Sequence, residues 1–168
     1  MTGHDADGRS AFILTETEPV THAVGSGATR VTELWETHAT PADNTGTADA
    51  ANRPFRLPPP AGGSVFRIVE YPPDTTRIEM LRDQTLHDDA AEGYARDYTH
   101  AKHPVFHKTA TIDYAIVLNG EIYALMETGE ALLRAGDVLI QRGTNHAWSN
   151  RTTEPVSIAF ILIDAKST

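Results

Sequence analysis

The chain has no cysteine among its 168 residues, which removes disulfide frameworks, thiolate zinc sites and cysteine nucleophiles from consideration. It is also short of positive charge, with 14 Lys and Arg against 23 Asp and Glu and a formal net charge of -9. Phosphate neutralisation needs a clustered basic surface, so no nucleic-acid partner is expected. Long apolar runs are missing too. The longest, residues 158–163, is far too short for a bilayer, and the first ten residues, MTGHDADGRS, lack the basic-then-apolar layout of a secretion signal. These absences predict a soluble, cytoplasmic protein with no membrane partner and no nucleotide cofactor. At this length one domain, residues 1–168, can bury an adequate core unaided.

What is present falls into two textures. Residues 1–105 are irregular. Short strands are expected at 11–14 and 31–35, and 64–71 (SVFRIVEY) has the β-branched and aromatic content of a strand, stopped by Pro72 and Pro73. Between them, 39–63 is rich in Ala, Pro, Asn, Thr and Gly, including Pro58, Pro59 and Pro60, and reads as a long surface loop within the domain. The acidic start of 88–98 (DDAAEGYARDY) suits the positive end of a helix, so one short helix is expected there, weakened by Gly93. Residues 106–168 are regular, with strand-like runs at 109–118, 121–127, 130–134, 137–141 and 156–163. Turn signals separate them: Asn119-Gly120, Gly129, Gly136, Gly143 and Glu154-Pro155. Short strands at this spacing, without intervening helices, indicate an antiparallel sandwich or barrel.

Side chains two apart on a strand share a face. From residue 107 the odd positions are His107, Thr109, Thr111, Asp113, Ala115 and Val117, and the even positions from Ala110 are Ile112, Tyr114, Ile116 and Leu118. Either the polar row faces water and the apolar row is the core, or the polar row lines an interior and the apolar row is covered by N-terminal strands or a partner subunit. Downstream, Gly136-Asp137 opens a strand, Gly143 follows, His146 stands three residues later and Asn150 four after that.

That second segment resembles the second motif of the cupin superfamily, although Gln141-Arg142 occupies the place of the proline that usually precedes the glycine. The first cupin motif has two histidines one residue apart, a glutamate, and a glycine seven residues after it. Counted back from Gly120, His107 takes the first histidine position, Thr109 the second, and Asp113 the glutamate position. The resemblance spans residues 107–163 and implies an all-β fold: a double-stranded β-helix (jelly-roll) barrel with extra N-terminal strands and one short helix. It also favours the interior placement of the polar row.

For chemistry the resemblance implies a metal centre, here reduced to His107, Asp113 and His146. Two histidines and a carboxylate suit one divalent transition metal (Fe, Zn, Ni or Mn), with open positions for substrate. Without metal, Asp113 and His146 would serve as catalytic acid and base. Thr109, Gln141 and Trp148 are candidate substrate-binding residues, Trp148 being equally suited to core packing. His103 and the remaining histidines, His4, His22, His38, His87 and His100, read as surface residues, and the sequon at Asn150 as incidental. The expected function is that of an enzyme on a small organic molecule (polyketide-like, aromatic or carboxylic), with metal-dependent oxidation favoured. The alternatives are a metal-free isomerase, dehydratase or cyclase, or a non-catalytic ligand-binding protein. Small members of this superfamily usually pair, so a homodimer is expected.

Overall fold

The computed structural model describes residues 1–14, 18–24, 28–83, 95–96 and 105–166. In chain order its elements are β1 (Thr2–His4), β2 (Ser10–Phe12), β3 (Thr21–Val24), β4 (Thr29–Thr37), β5 (Ser64–Tyr71), α1 (Asp74–Asp83), β6 (Ala95–Arg96), β7 (His107–Lys108), β8 (Thr111–Val117), β9 (Glu121–Met126), β10 (Gly129–Arg134), β11 (Val138–Arg142), β12 (His146–Ser149) and β13 (Val156–Asp164). Six strands form one sheet in the order β11-β8-β13-β5-β4-β3, five form a second in the order β10-β9-β12-β7-β6, and β1 pairs with β2 apart from both. Every pairing among the described residues is antiparallel. The all-β expectation holds.

The core lies on the inner faces. Val31, Val69, Tyr71, Ala115, Val117, Ile122, Trp148, Ile158, Phe160 and Leu162 belong to one buried cluster contributed by both large sheets. Alternation produces it: β5 buries Val65, Arg67, Val69 and Tyr71 and turns Phe66 outward, while β8 buries Thr111, Asp113, Ala115 and Val117. The polar row of β8 is therefore inside. On the outer face Tyr114, Leu118, Val138 and Ile140 are exposed. Register carries that outer row from Ile140 through Tyr114, Ile161 and Phe66 to Trp35.

Two expectations change. The run expected at 109–118 is broken at Thr109-Ala110: His107 and Lys108 pair in the five-stranded sheet, and the chain then crosses to the six-stranded one. The helix is also misplaced. Most of 88–98 lies outside the described residues, but Ala95 and Arg96 pair with β7 as a strand. The described helix is α1, in which Arg77 is buried. What fixes it is polar: Asp74 accepts from Ser149 Oγ at 2.6 Å and from Asn150 N at 3.1 Å, and Arg77 Nη1 donates to Trp148 O at 2.8 Å. A start held by distant partners leaves little periodic trace in the sequence.

The proline-rich segment is more than surface loop. Ala51 is buried, Phe55 packs on the core cluster, and Arg53 and Arg56 reach Glu36. His22, expected on the surface, packs its ring against Phe55 at 5.6 Å between centroids, and His38 lies 3.2 Å from Glu36. His87, His100 and His103 lie outside the described residues.

Gly143 sits between β11 and β12 with φ of 57°, and a Cβ there would stand 3.3 Å from Thr109 O. A side chain is strained on both counts. Gly143→Ala should lower stability by about 1–2 kcal/mol, read by denaturant unfolding. An unchanged midpoint would show that the turn relaxes without cost.

Candidate functional site

The interior polar residues come from six strands. In the sheet, Gln141 of β11 is opposite Asp113 of β8, and Arg67 of β5 is opposite Glu33 of β4. A bulge at Leu34 shifts the register between Glu33 and Trp35, so Glu33 and Glu36 both turn inward although three residues apart. His107 and His146 are partners across β7 and β12 on the facing sheet.

The two imidazoles lie 4.4 Å apart between centroids, tilted by 48°. His146 Nδ1 is 2.9 Å from Thr144 O and His107 Nδ1 is 3.0 Å from Val105 O. A carbonyl can only accept, so in each neutral ring Nδ1 carries the proton and Nε2 the lone pair. Burial holds the His146 pKa below its ordinary value, against the Thr144 carbonyl that raises it. This ring is a neutral base at pH 7.

Asp113 is 4% exposed and its pKa is pushed up to about 6, by burial first, against the Thr111 hydroxyl and the Arg67 charge that lower it. Its Oδ1 has no hydrogen-bond partner. Gln141 donates through Nε2 to Thr144 O at 3.2 Å and contacts Thr144 Oγ1, while its buried Oε1 is unpartnered. Thr109 and Thr111 share a hydrogen bond of 2.6 Å between their hydroxyls.

Arg67 and Glu33 escape the motif-based reading. Arg67 Nη2 lies 3.2 Å from Glu33 Oε1 and donates to Arg56 O at 2.9 Å, and its guanidinium stands 5.3 Å over the Phe55 ring. Burial outweighs the ion pair on both sides: the Glu33 pKa is raised and that of Arg67 lowered. The signal was available in SVFRIVEY, where Arg67 shares parity with Val65 and Val69.

The expected metal set is only partly assembled. The histidine pair suits a metal, with both Nδ1 atoms oriented by carbonyls. Yet no group of three His, Asp or Glu side chains among the described residues converges on one ion. The crossing at Thr109-Ala110 places Asp113 on the opposite sheet from the histidines. As placed, His107, Asp113 and His146 do not form a three-ligand group. Trp148 is 2% exposed, within the core cluster, and makes T-shaped ring contacts with His146 and Phe160 at 6.3 and 5.5 Å between centroids. Asn150 is structural: Nδ2 donates to Tyr71 O at 2.9 Å and Glu154 O at 2.8 Å, and Oδ1 accepts from Thr152.

No family model matches the chain. It is 32% identical over 173 residues to phomopsin biosynthesis cluster protein C' of Diaporthe leptostromiformis, covering 99% of this chain and 77% of the relative. It is 27% identical over 172 residues, 99% of this chain and 75% of the relative, to the cupin-domain-containing oxidoreductase virC of Hypocrea virens. Among solved structures, a Cupin 2 conserved barrel domain protein from Salinispora arenicola aligns over 90% of this chain and 91% of its own, at 13% identity and a TM-score of 0.46. No described helix is long and apolar enough to cross a membrane.

Proposed function

Because this chain belongs to the cupin superfamily, we propose that it is an enzyme of the oxidoreductase class acting on a small organic biosynthetic intermediate held between its two large sheets. The class comes from relatives named cupin-domain-containing oxidoreductases, and the biosynthetic setting from those named as cluster proteins. One observation carries the site: buried polar atoms of Asp113 and Gln141 with no partner face the same interior as His146. A buried polar group left unbonded costs about 1–3 kcal/mol, and a purely structural core would replace it with an apolar side chain.

In this reading the chain's own residues bind and move protons. His146 Nε2 takes a proton from the bound molecule, and the carbonyl of Thr144 holds the ring in that tautomer. Asp113 accepts from a substrate hydroxyl when ionised and gives a proton back when neutral. No step is assigned to a metal, since Asp113 does not complete the ligand set. That same separation favours a second reading, proton transfer alone, giving isomerisation or loss of water.

The test is mass spectrometry of a small-molecule extract from the producing cells, incubated with and without the protein. A product lighter by two hydrogens or heavier by oxygen supports the oxidoreductase. An isomer, or loss of water, supports proton transfer alone. No converted compound would overturn the enzyme reading. His146→Ala should slow any conversion by about 10²–10⁴-fold, the usual worth of a positioned base.

Metal content gives a separate prediction. Two nitrogen donors bind a divalent ion weakly, so protein purified without chelator should hold well below one equivalent by elemental analysis. Uptake on titration with Fe(II), Zn(II) or Ni(II) should vanish in His107→Ala. One full equivalent surviving dialysis would show that a third donor joins the pair.

A further inference from the structure

The outer face of the six-stranded sheet has the composition of an interior and lies open. Its central row runs Ile140, Tyr114, Ile161, Phe66 and Trp35 across five strands. Register adds a row on either side, from Val138 to Thr32 and from Arg142 to Thr37. Arg142 is the one charged residue in these three rows. Tyr114 is 41% exposed and Ile140 50%, and Phe66 and Trp35 are exposed as well. The other described elements sit elsewhere. Ser149 and Asn150 hold α1 at the end of β12, β6 pairs with β7 in the five-stranded sheet, and β1 pairs with β2.

The face is large enough to matter. Five strands about 4.8 Å apart and three rows about 7 Å apart cover roughly 500 Å² in plane. Contiguous apolar patches on a monomer rarely exceed a few hundred Å². Past the row from Val138 to Thr32 the next one is polar, with Ser157, Glu70 and Arg30 in register. An apolar centre inside a polar rim is the anatomy of a protein interface. With that rim the face approaches the roughly 800 Å² that each partner gives to a stable one.

Charge and shape select the occupant. The chain carries a net charge of -9, so an anionic membrane surface repels it, and one arginine is too few cations to hold lipid headgroups. Two copies of the chain also repel, and least so through a face whose three rows contain no carboxylate. The central row is slim at Ile140 and bulkiest at Trp35. A two-fold axis running along β13 lays this row on itself in reverse. Trp35 then meets the partner's Ile140, the Phe66 ring meets that of the partner's Tyr114, and Ile161 meets its own copy. Large faces small at the ends, and two rings pair between them, as close packing of two sheet faces requires.

We propose that this face binds a second copy of the chain, forming a two-fold dimer with its axis along β13. The surface lies on the opposite side of the sheet from the candidate site, so the proposal is independent of the reaction assigned there.

Light scattering at micromolar concentration should give twice the chain mass of 18.3 kDa. Tyr114→Glu puts a carboxylate at an exposed position in the middle of the face. It should weaken association by about 30-fold, the equivalent of about 2 kcal/mol, read by analytical ultracentrifugation. Ala131→Glu, exposed on the other sheet, should leave association unchanged. The absence of cysteine allows a second reading that survives a misfolded Tyr114→Glu. Ser157 lies on β13 at the polar rim, so a short bis-maleimide should join two chains through Ser157→Cys and not through Ala131→Cys. A monomer at every concentration would overturn the proposal, and one that sediments with phosphatidylcholine vesicles would give the face to lipid instead. A dimer neither weakened by Tyr114→Glu nor linked through Ser157→Cys would overturn it equally. A dimer weakened by Tyr114→Glu but not linked would keep the face and overturn the axis.

Discussion

Asp113→Asn should stabilise the protein at pH 7.5 by about 3 kcal/mol, the free energy equivalent of raising a carboxyl from its ordinary value to about 6. The sign follows from which state holds the proton. Between about pH 4 and 6 the unfolded chain has ionised this carboxyl while the folded chain keeps it neutral. The folded state then binds more protons, and stability falls as pH rises through that window. Above it both states are ionised and the loss is complete. Asparagine never ionises, so its advantage should be large at pH 7.5 and close to nothing at pH 4. Denaturant unfolding of both proteins at the two pH values measures this. A variant destabilised equally at both would mean that the Thr111 and Arg67 contacts outweigh burial. The same substitution should impair turnover, since it removes the charged acceptor facing the bound molecule, as expected where stability has been traded for a site.

Arg67→Met should cost about 3–5 kcal/mol, because it strands Glu33 as a buried charge without its nearest partner. Most of that cost belongs to the orphaned carboxylate and not to the ion pair itself. The double variant Glu33→Leu with Arg67→Met should therefore recover most of the loss, leaving it within about 1–2 kcal/mol of the parent protein. Thermal or denaturant unfolding of the two single variants and the double variant closes the cycle. Additive losses would show that Arg53, 3.6 Å from Glu33, compensates the carboxylate on its own.

Much of the fold is legible in period and punctuation. The strand Ser64–Tyr71 has the bounds that its composition gives, and the turns at Asn119-Gly120 and Gly129 separate strands as their residues require. Alternation divides β8 into a polar and an apolar face, because pleating fixes which residues travel together. Which face is inside is a different matter. Thr111 and Asp113 are buried while Tyr114 is exposed, the reverse of what hydropathy alone favours. Only the facing sheet decides that. The helix Asp74–Asp83 is illegible for a related reason: its anchors, Ser149 and Asn150, lie more than seventy residues away.

The sequence by itself determined an all-β chain without thiol chemistry, and its resemblance to the two cupin motifs singled out His107, Asp113 and His146. Tertiary structure decided how they are shared out. The crossing at Thr109-Ala110 sends the two histidines to one sheet and Asp113 to the other, so residues that look like one ligand set become a histidine pair facing a carboxylate. It also set the neighbours of Asp113, which spacing along the chain does not reveal: Gln141 across a strand pair and Arg67 beyond β13. Spacing along a chain fixes which residues share a strand face. Distance across an interior depends on strand pairing and sheet packing, and those are set by the whole chain.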